Sequence, residues 1–325
     1  MNILVTGGAG YIGSHTVQHL QKYQHNVWVL DNLSRGNPDW LDRNKNGIHA
    51  SIHDTDVVQN ILNTHAIDTV IHFAAYAYVG ESVEKPLLYY HNNVEGTRCL
   101  LEAMTTAKKQ PTLVFSSTCA TYGIPEFTPI DETHPTKPIN PYGHSKLMVE
   151  QLIKDAHHAY DLPYVILRYF NAAGASTDHT RGECHDPEPH LIPNILLSLL
   201  NKTPITIHGK QYPTPDGTCI RDYIHVEDLA SAHRHALEYL DKGNTPDVFN
   251  LGTGQGYSVL EILNTCEEIT QQTAQVIDGP QRPGDPPKLI ANPNKAKRLL
   301  KWTPQYSDLP TIIQTAWQWH KRKGS

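Results

Sequence analysis

Tyr142 and Lys146 form the residue pair in this sequence with the clearest potential for chemistry. They stand four residues apart, so on a helix their side chains share one face. Pro141 suits the first turn of such a helix, and apolar residues recur at helical spacing from Val149 onward. A neighbouring ammonium group stabilises a phenolate, lowers the pKa of the tyrosine and leaves a general base near neutral pH. Taken alone, the spacing fits equally well an ordinary helix with a packed aromatic residue.

A tyrosine base of this kind would have a catalytic use beside a bound redox cofactor. The N-terminal segment predicts where such a cofactor binds. Residues 3–5 are an apolar run typical of a buried parallel strand, and Gly7, Gly10 and Gly13 follow before a helical pattern. Such glycines allow a tight turn and a close approach of backbone to a pyrophosphate. The N-terminus of the following helix supplies N–H groups and a positive dipole end. The segment therefore predicts a dinucleotide-binding turn.

Acidic residues after the next two strands extend this prediction. Asp31 ends a strand over residues 26–30, at about the expected distance from the glycines for a carboxylate that binds the adenosine ribose. A carboxylate there repels a 2′-phosphate, which favours NAD over NADP, and Asn32 is placed to assist. Asp54 follows a predicted third strand over residues 48–52 and is placed to meet the adenine.

Further strand patterns complete a predicted doubly wound parallel sheet of the α/β class, similar to a Rossmann fold. They cover residues 69–73, 113–115, 164–167 and 248–251. Small or hydroxyl residues follow two of these strands, namely Ala74 and Ala75 after the first, and Ser116 to Thr118 after the second. Ligands of doubly wound sheets bind at the carboxyl ends of the strands, so these residues are expected to line a ligand site.

The residue composition changes near residue 175, where prolines and long polar loops become frequent. We expect an NAD-binding domain over residues 1–174 plus about 226–254. A smaller, mixed α/β substrate domain then covers about 175–225 plus 255–325. Arg221, Arg282 and Asp285 fall in the second domain. Arginine forks match diphosphate oxygens, although ordinary surface ion pairing is the alternative for each arginine taken singly.

Composition sets limits on partners and metals. The chain has 325 residues and a formal net charge of −6, which indicates no general attraction to nucleic acid or to anionic membranes. No long apolar segment or secretion signal is present, which favours a cytoplasmic protein. The five cysteines include no CxxC pair, and the helical pair His15 and His19 lacks the glutamate of an HExxH site. The sequence therefore predicts no metal.

Several longer runs carry a resemblance to a known family. They are residues 5–15, 30–33, 79–83, 92–94, 115–117, 141–146, 167–171, 221–226 and 248–252. Together they resemble the extended short-chain dehydrogenase/reductase family and, within it, the UDP-glucose 4-epimerases, over nearly the whole chain. The glycine and Tyr-Lys motifs mark only the superfamily. The runs at 92–94, 168–171 and 221–226 are much more specific to nucleotide-sugar epimerases.

The resemblance implies a role for each matching residue. Tyr142 would be the base, Lys146 would lower its pKa and hold the nicotinamide ribose, and Thr118 would share the sugar's proton. The implied NAD contacts are Gly7, Gly10, Tyr11, Ile12, Gly13, Asp31, Asn32, Asp54, Phe73, Ala74, Ala75, Asn93, Ser116, Tyr142, Lys146 and Tyr169. The implied UDP-sugar contacts are Thr118, Tyr142, Asn171, His190, Leu191, Thr206, His208, Arg221, Tyr223, Arg282 and Asp285.

The implied reaction is NAD-dependent inversion at C4 of UDP-glucose or UDP-galactose, through a transient 4-keto sugar and NADH, in a homodimer. Two departures from the family pattern, at Leu289 and Ala77, keep a UDP-N-acetylglucosamine or UDP-pentose 4-epimerase open as an alternative. Leu289 stands where sugar size is tuned, Ala77 where a lysine is found near the cofactor, and His208 where an aromatic residue is expected near uracil. An alternative of another class is a non-catalytic NAD-binding sensor or scaffold.

Overall fold

The computed structural model describes residues 1–42, 44–281 and 285–323. Its strands are β1 (Asn2–Thr6), β2 (Asn26–Asp31), β3 (Gly47–His49), β4 (Thr69–His72), β5 (Thr112–Thr118), β6 (Tyr164–Tyr169), β7 (Asn171–Ala173), β8 (Ile205–His208), β9 (Ile220–Arg221), β10 (Tyr223–His225), β11 (Asp247–Leu251), β12 (Tyr257–Ser258), β13 (Val276–Gly279) and β14 (Lys288–Leu289). Its α-helices are α1 (Tyr11–Lys22), α2 (Thr55–Thr64), α3 (Val79–Glu84), α4 (Pro86–Tyr89), α5 (Gly96–Thr105), α6 (Pro141–Tyr160), α7 (Leu191–Asn201), α8 (Val226–Asp241), α9 (Val259–Thr270), α10 (Asn294–Leu299) and α11 (Leu309–Lys323).

Seven strands form one parallel sheet, in the spatial order β11-β6-β5-β4-β1-β2-β3. The predicted doubly wound sheet is therefore confirmed, including the late strand near residue 250. Thr6, at the end of β1, lies in register with Leu30 on one side and His72 on the other. The strand order changes direction between β1 and β4, which is where a doubly wound sheet opens a crevice for a ligand.

Alternating side chains on β1 fill two hydrophobic cores, one on each face of the sheet. Ile3 and Val5 pack with apolar residues of α1 and α8. Leu4 points the other way and packs with residues of α2, α5 and α6. Because both faces are covered by helices, the central strands are buried, and most of their side chains are apolar.

A third core lies outside the large sheet, where α7, α9 and α11 pack on one another. Small sheets surround it, formed by β8 with β13 and by β12, β9 and β14. The buried carboxylate of Asp222 joins this part to the loop after β11, because it accepts hydrogen bonds from the backbone N–H groups of Thr253 (2.9 Å), Gly254 (3.0 Å) and Ala291 (3.1 Å). The domain boundaries proposed from the sequence stay a prediction.

Two elements differ from the sequence-based expectation. The third strand ends at His49, because the chain turns at Ser51 to Asp54 and begins α2 there. The helix expected from Asn93 is preceded by a π-helix over Tyr90–Glu95, and regular α-helix begins only at Gly96. Single π-turns of this kind occur frequently at functional sites. Within the part of the chain described, no helix has the length and apolarity needed to cross a membrane.

Candidate active site

A cavity of about 1250 Å³ opens at the carboxyl edge of the large sheet, next to the third core. Of the predicted cofactor contacts, those lining it are Gly7, Gly10, Tyr11, Ile12, Gly13, Asp31, Asn32, Phe73, Ala74, Ala75, Ser116, Tyr142, Lys146 and Tyr169. Of the predicted substrate contacts, those lining it are Thr118, Tyr142, Asn171, His190, Leu191, Thr206, His208, Arg221, Tyr223 and Asp285. The fold therefore brings almost all the predicted site residues to one cavity. Their individual roles stay predictions.

The glycine turn leaves room for a phosphate at the start of α1. Gly7 has a φ of +71°, and a Cβ added there would lie only 2.6 Å from the backbone nitrogen of Ala74. A Cβ on Gly13 would collide with the carbonyl oxygen of Gly7. The N-cap of α1 is Gly10, which has no side chain to occupy the first N–H groups of the helix. This backbone cradle fits the pyrophosphate of NAD.

Asp31 is held at the next position along the cavity. Its carboxylate oxygens accept hydrogen bonds from the N–H groups of Ala9 (3.0 Å) and Leu33 (2.8 Å). Burial raises the pKa of Asp31, and these two hydrogen bonds oppose the rise. The carboxylate is thus fixed in orientation at the end of β2, as binding of ribose hydroxyls requires.

The helix predicted around Tyr142 and Lys146 is confirmed. It begins at Pro141, and the side chain of its N-cap, Asn140, accepts a hydrogen bond from the N–H of Gly143 at 2.8 Å. Lys146 Nζ donates to the carbonyl oxygen of Ser116 at 2.8 Å, which attaches the helix to the end of β5. Tyr142 and Lys146 are both buried, on the face of α6 that meets the cavity.

The expected lowering of the tyrosine pKa is not found. Burial is the largest influence on Tyr142 and raises its pKa, Tyr169 adds to the rise, and a hydrogen bond with the Thr118 side chain opposes it. Burial also lowers the pKa of Lys146 to about 7, against the opposing charge of Glu150. The prediction failed because loss of solvation, which residue spacing does not show, outweighs the attraction between neighbouring groups.

Hydroxyl groups surround the phenol, as expected for the ends of β5 and β6. Thr118 ends β5, and its Oγ1 accepts a hydrogen bond from the N–H of Ala120 at 3.1 Å. Tyr169 ends β6, and its hydroxyl hydrogen-bonds to the Oγ of Ser116. The hydrogen bond between the Thr118 side chain and Tyr142 gives a pair of hydroxyl groups able to pass a proton.

Two predicted contacts, Asn93 and Asp54, have another position. Asn93 lies in the π-helix behind the cavity, where its Oδ1 accepts from the N–H of Tyr76 (2.8 Å) and its Nδ2 donates to Ser145 Oγ (3.0 Å). It therefore joins the turn after β4 to α6. Asp54 caps α2 by accepting from the N–H of Val57, and it is not among the cavity-lining residues described. Arg282 lies outside the described residues.

At the other end of the cavity, Arg221 is oriented by its neighbours. Its guanidinium forms an ion pair with Asp285, and Nη1 donates to the carbonyl oxygen of Ile220 at 2.8 Å. Asn171 Nδ2 donates to the carbonyl oxygen of Asp222 at 3.0 Å. The side chains expected to bind the nucleotide are thus fixed to β7, β9 and the segment before β14.

Sequence reasoning missed Arg35, which lines the cavity beyond Asp31. Its guanidinium lies 4.9 Å from the ring of Tyr76 and 4.6 Å from the ring of Tyr78, and it forms a 2.6 Å ion pair with Glu81. A lone arginine in a loop gives no signal of such a contact in the sequence. The cluster adds a cation to the cofactor end of the cavity.

A second missed feature is a cluster of Glu183, His185 and His190, of which only His190 was predicted to lie at the site. His190 Nδ1 and His185 Nε2 lie 2.5 Å and 3.3 Å from the same oxygen of Glu183. Burial by itself would lower the pKa of His190, but the Glu183 carboxylate more than offsets this and raises it to about 10. Burial likewise would raise the pKa of Glu183, but the neighbouring imidazoles more than offset this and lower it.

Known proteins resemble this chain along its full length. A UDP-glucose 4-epimerase of Halalkalibacterium halodurans is 49% identical over 322 residues, which cover 99% of this chain and 96% of that protein. The structure of a Brucella ovis UDP-glucose 4-epimerase in complex with NAD has a TM-score of 0.94 and 46% identity, covering 97% of both chains.

A third relative was solved with both a cofactor and a nucleotide sugar. It is the UDP-glucose 4-epimerase of Stenotrophomonas maltophila with bound NAD and formylated UDP-arabinopyranose, with a TM-score of 0.95 and 40% identity, covering 100% of this chain and 99% of that chain. In addition, the model of the NAD dependent epimerase/dehydratase family matches residues 3–252. The chain belongs to the NAD dependent epimerase/dehydratase family.

Proposed function

We propose that this chain is an isomerase that inverts C4 of UDP-glucose and UDP-galactose with NAD as cofactor. The observation that carries the proposal is the meeting, in one cavity, of the glycine turn, the group of Thr118, Tyr142 and Lys146, and the anchored Arg221. Two relatives with the same fold were solved with NAD, and one of them also holds a nucleotide sugar. Residues 1–174 and 226–254 would hold NAD, and the remaining segments would hold the UDP-sugar.

Different residues of the cavity have different roles in the proposed reaction. Tyr142, directly or through Thr118, removes the proton of the 4-hydroxyl and later returns one, while Lys146 holds the ribose beside the phenol. NAD bound at the glycine turn supplies the acceptor for the C4 hydride. Arg221 and Asn171 anchor the UDP portion, so that the hexose can turn and present its opposite face.

Retention of the cofactor is part of this chemistry, because the reaction consumes no net NAD. Asp31 and the glycine turn bind its adenosine and pyrophosphate portions. The resemblance implies a lysine near the cofactor at position 77. This chain has Ala77 there, so the positive charge of that lysine is absent. Arg35 supplies a cation at the same part of the cavity, since Tyr76 and Tyr78, the neighbours of Ala77, hold its guanidinium there beside Glu81. We assign it to cofactor binding.

The purified chain tests the proposal directly. Nucleotide released by denaturation should be NAD, and the intact protein should convert UDP-galactose to UDP-glucose without added cofactor. Bound NAD without turnover of any nucleotide sugar would instead favour a non-catalytic sensor or scaffold.

Replacement of Tyr142 by phenylalanine tests the role of the phenol. The variant should retain NAD, since the ring still packs, and lose turnover by at least roughly a hundredfold, the lower range for removal of a general base. Tyr160→Phe is the matched control, because Tyr160 is an exposed residue at the far end of the same helix. Near-normal turnover by the Tyr142 variant would remove this residue from the mechanism.

The identity of the sugar is a separate question, and Leu289 keeps a second candidate function open. Leu289 lies in β14 and lines the cavity, and the Stenotrophomonas relative was solved with a UDP-pentose derivative. The second candidate is a 4-epimerase for UDP-N-acetylglucosamine or a UDP-pentose. Ratios of kcat/KM for UDP-galactose, UDP-N-acetylgalactosamine and UDP-arabinopyranose would decide between them.

We propose further that the chain forms a homodimer in the cytoplasm. An apolar face on α3, α4 and α6 supports the dimer, since Val83 is 62%, Leu87 80% and Met148 49% exposed and these helices pack together. Apolar residues exposed together in this way mark interaction surfaces. The absence of a CxxC pair among the cysteines supports a reducing compartment, and cell fractionation would test it.

A further inference from the structure

The cluster of Glu183, His185 and His190 lies beside a second carboxylate, that of Glu188, and both carboxylates are largely buried. The side chain of Glu183 is 4% exposed, and that of Glu188, whose carboxylate lies 3.3 Å from His190 Nδ1, is 7% exposed. Two nearly buried carboxylates require compensating positive charge. Two protonated imidazoles would satisfy them, and so would a single dication.

The donor atoms have the arrangement that a metal ion requires. One nitrogen from each histidine and one oxygen of Glu183 all lie within 4.8 Å of one another. Bonds of about 2.1 Å to tetrahedral zinc place neighbouring ligand atoms about 3.4 Å apart. The 3.3 Å from His185 Nε2 to Glu183 Oε1 agrees with this spacing. The 2.5 Å from His190 Nδ1 to the same oxygen is shorter, so metal binding would move these two atoms farther apart by about 0.9 Å.

We infer that Glu183, His185 and His190 bind one divalent transition-metal ion of the zinc type, with Glu188 beside them as a further oxygen donor. Two imidazoles and a carboxylate are a ligand set that zinc accepts, and the harder ions magnesium and calcium prefer oxygen alone. All four residues line the cavity. Three protein ligands leave a coordination position for an oxygen of the bound nucleotide or of water.

The position of the cluster couples a bound metal to both ends of the cavity. His185 packs edge-on against Tyr78 at 5.3 Å, and Tyr78 in turn holds Arg35. His190 is the N-cap of α7, whose first residue, Leu191, also lines the cavity. A metal would cross-link residues 183–190 within the segment between β7 and α7 and hold their side chains in place at the cavity wall. This inference concerns metal binding itself and does not depend on the proposed epimerase activity.

The experiment uses the NAD-containing protein after treatment with a chelator and dialysis. Zinc is titrated calorimetrically, and cobalt(II) is used as a spectroscopic probe of the ligand geometry. The wild-type chain should bind one ion with a saturable isotherm and give the intense visible bands of tetrahedral cobalt. His185→Ala and Glu183→Gln should weaken binding at this site by at least roughly a hundredfold, because loss of an outer-shell partner alone costs 10–100-fold.

His158→Ala is the matched control, because His158 is an exposed histidine at the end of α6, and it should bind zinc like the wild type. Circular dichroism and NAD content establish that each variant is folded, and Glu183→Gln preserves side-chain volume should His185→Ala fail to fold. Absence of saturable zinc binding by the wild type would show that the cluster carries protons only. Equal binding by the wild type and both ligand variants would place the ion elsewhere. Either result overturns the inference.

Discussion

Lys146 shows how far the setting of one side chain changes its chemistry. The spacing from Tyr142 predicts a permanently charged partner, yet burial brings the pKa of this ammonium group down to about 7. In the chain without ligands, Lys146 therefore changes between its charged and neutral forms near neutral pH. The net charge of Tyr142 and Lys146 thus depends on how far the two side chains are solvated. The residue types and their spacing could be predicted from the sequence. The degree of solvation, which sets the sign of the pKa shifts, could not.

The lowered pKa makes a prediction about stability. Between about 7 and the ordinary value of 10.5, the folded chain binds fewer protons at Lys146 than the unfolded chain does. Stability of the NAD-free protein should therefore rise with pH across this window. Lys146→Met should be less sensitive to pH there, because it carries no titrating group. Urea unfolding at several pH values measures both, and parallel curves for the two proteins would contradict the assigned pKa.

Arg35 makes a second prediction at this scale. Arg35→Gln should release NAD faster than the wild type, since it loses the cation held by Tyr76 and Tyr78. Arg98→Gln is the matched control: its guanidinium is half exposed on α5 and pairs only with Glu95 and Glu102 among the carboxylates described. Fluorescence of bound NADH during dilution measures the release rate. An unchanged rate in the Arg35 variant would exclude this residue from cofactor binding.

Among the elements, α6 has the most demanding position, since it must present Tyr142 and Lys146 at the end of β5. A buried ion pair fixes it there: Arg168 of β6 makes two hydrogen bonds to Glu150, and the Oγ of Ser117 donates to the same carboxylate at 2.6 Å. Glu150 stands one turn after Lys146 on the same face. The sequence shows this spacing, but not that the partner is an arginine on a neighbouring strand.

Replacement of Arg168 should lower the free energy of unfolding substantially. Arg168→Met leaves the Glu150 carboxylate buried without its counter-charge, and such a loss typically costs about 3–5 kcal/mol. The exposed pair of Arg98 and Glu102 gives the comparison, since Arg98→Met should cost at most about 1 kcal/mol. Chemical unfolding of both variants measures the difference. A cost for Arg168→Met no larger than for Arg98→Met would mean that Glu150 is not held as an ion.

Regular elements were predictable because their hydrophobic periodicity is strong. The strands of the large sheet other than β3, and the start of α6 at Pro141, lie where the pattern predicts them. The early end of β3 comes from the local turn at Ser51 to Asp54, which the apolar pattern did not show. The π-helix over Tyr90–Glu95 was not predictable, because it depends on side chains that are remote in sequence. Asn93 is the example, since its bonds to Tyr76 and Ser145 are made possible by that irregular turn.

On the scale of the whole molecule, the functional cavity lies where the two halves of the chain meet. The sequence predicted the residues from both halves, because their motifs are local. Within residues 183–190 it did not show that the side chains of Glu183, His185 and His190 converge. It also could not predict which loops meet across the opening, and so it missed the contacts of Arg35 with Tyr76, Tyr78 and Glu81. These contacts depend on the relative placement of segments far apart in the chain.

The proposed homodimer gives the prediction at this scale. Leu87→Asp places a charge in the centre of the exposed apolar face of α3, α4 and α6. Light scattering after size-exclusion chromatography should show a dimer for the wild type and a monomer for the variant. Ile124→Asp, which changes an apolar residue 59% exposed and outside that face, is the control. A monomeric wild type, or a variant that remains dimeric, would contradict the proposed surface.

The late position of β11 has a consequence for biosynthesis. This strand pairs with β6, although the segments that form much of the third core lie between them in the chain. Until residue 251 has left the ribosome, the nascent polypeptide exposes the unpaired edge of β6, which other chains can join. Premature termination before this point should therefore yield insoluble fragments, whereas a ribosome stall placed beyond it should leave the sheet complete.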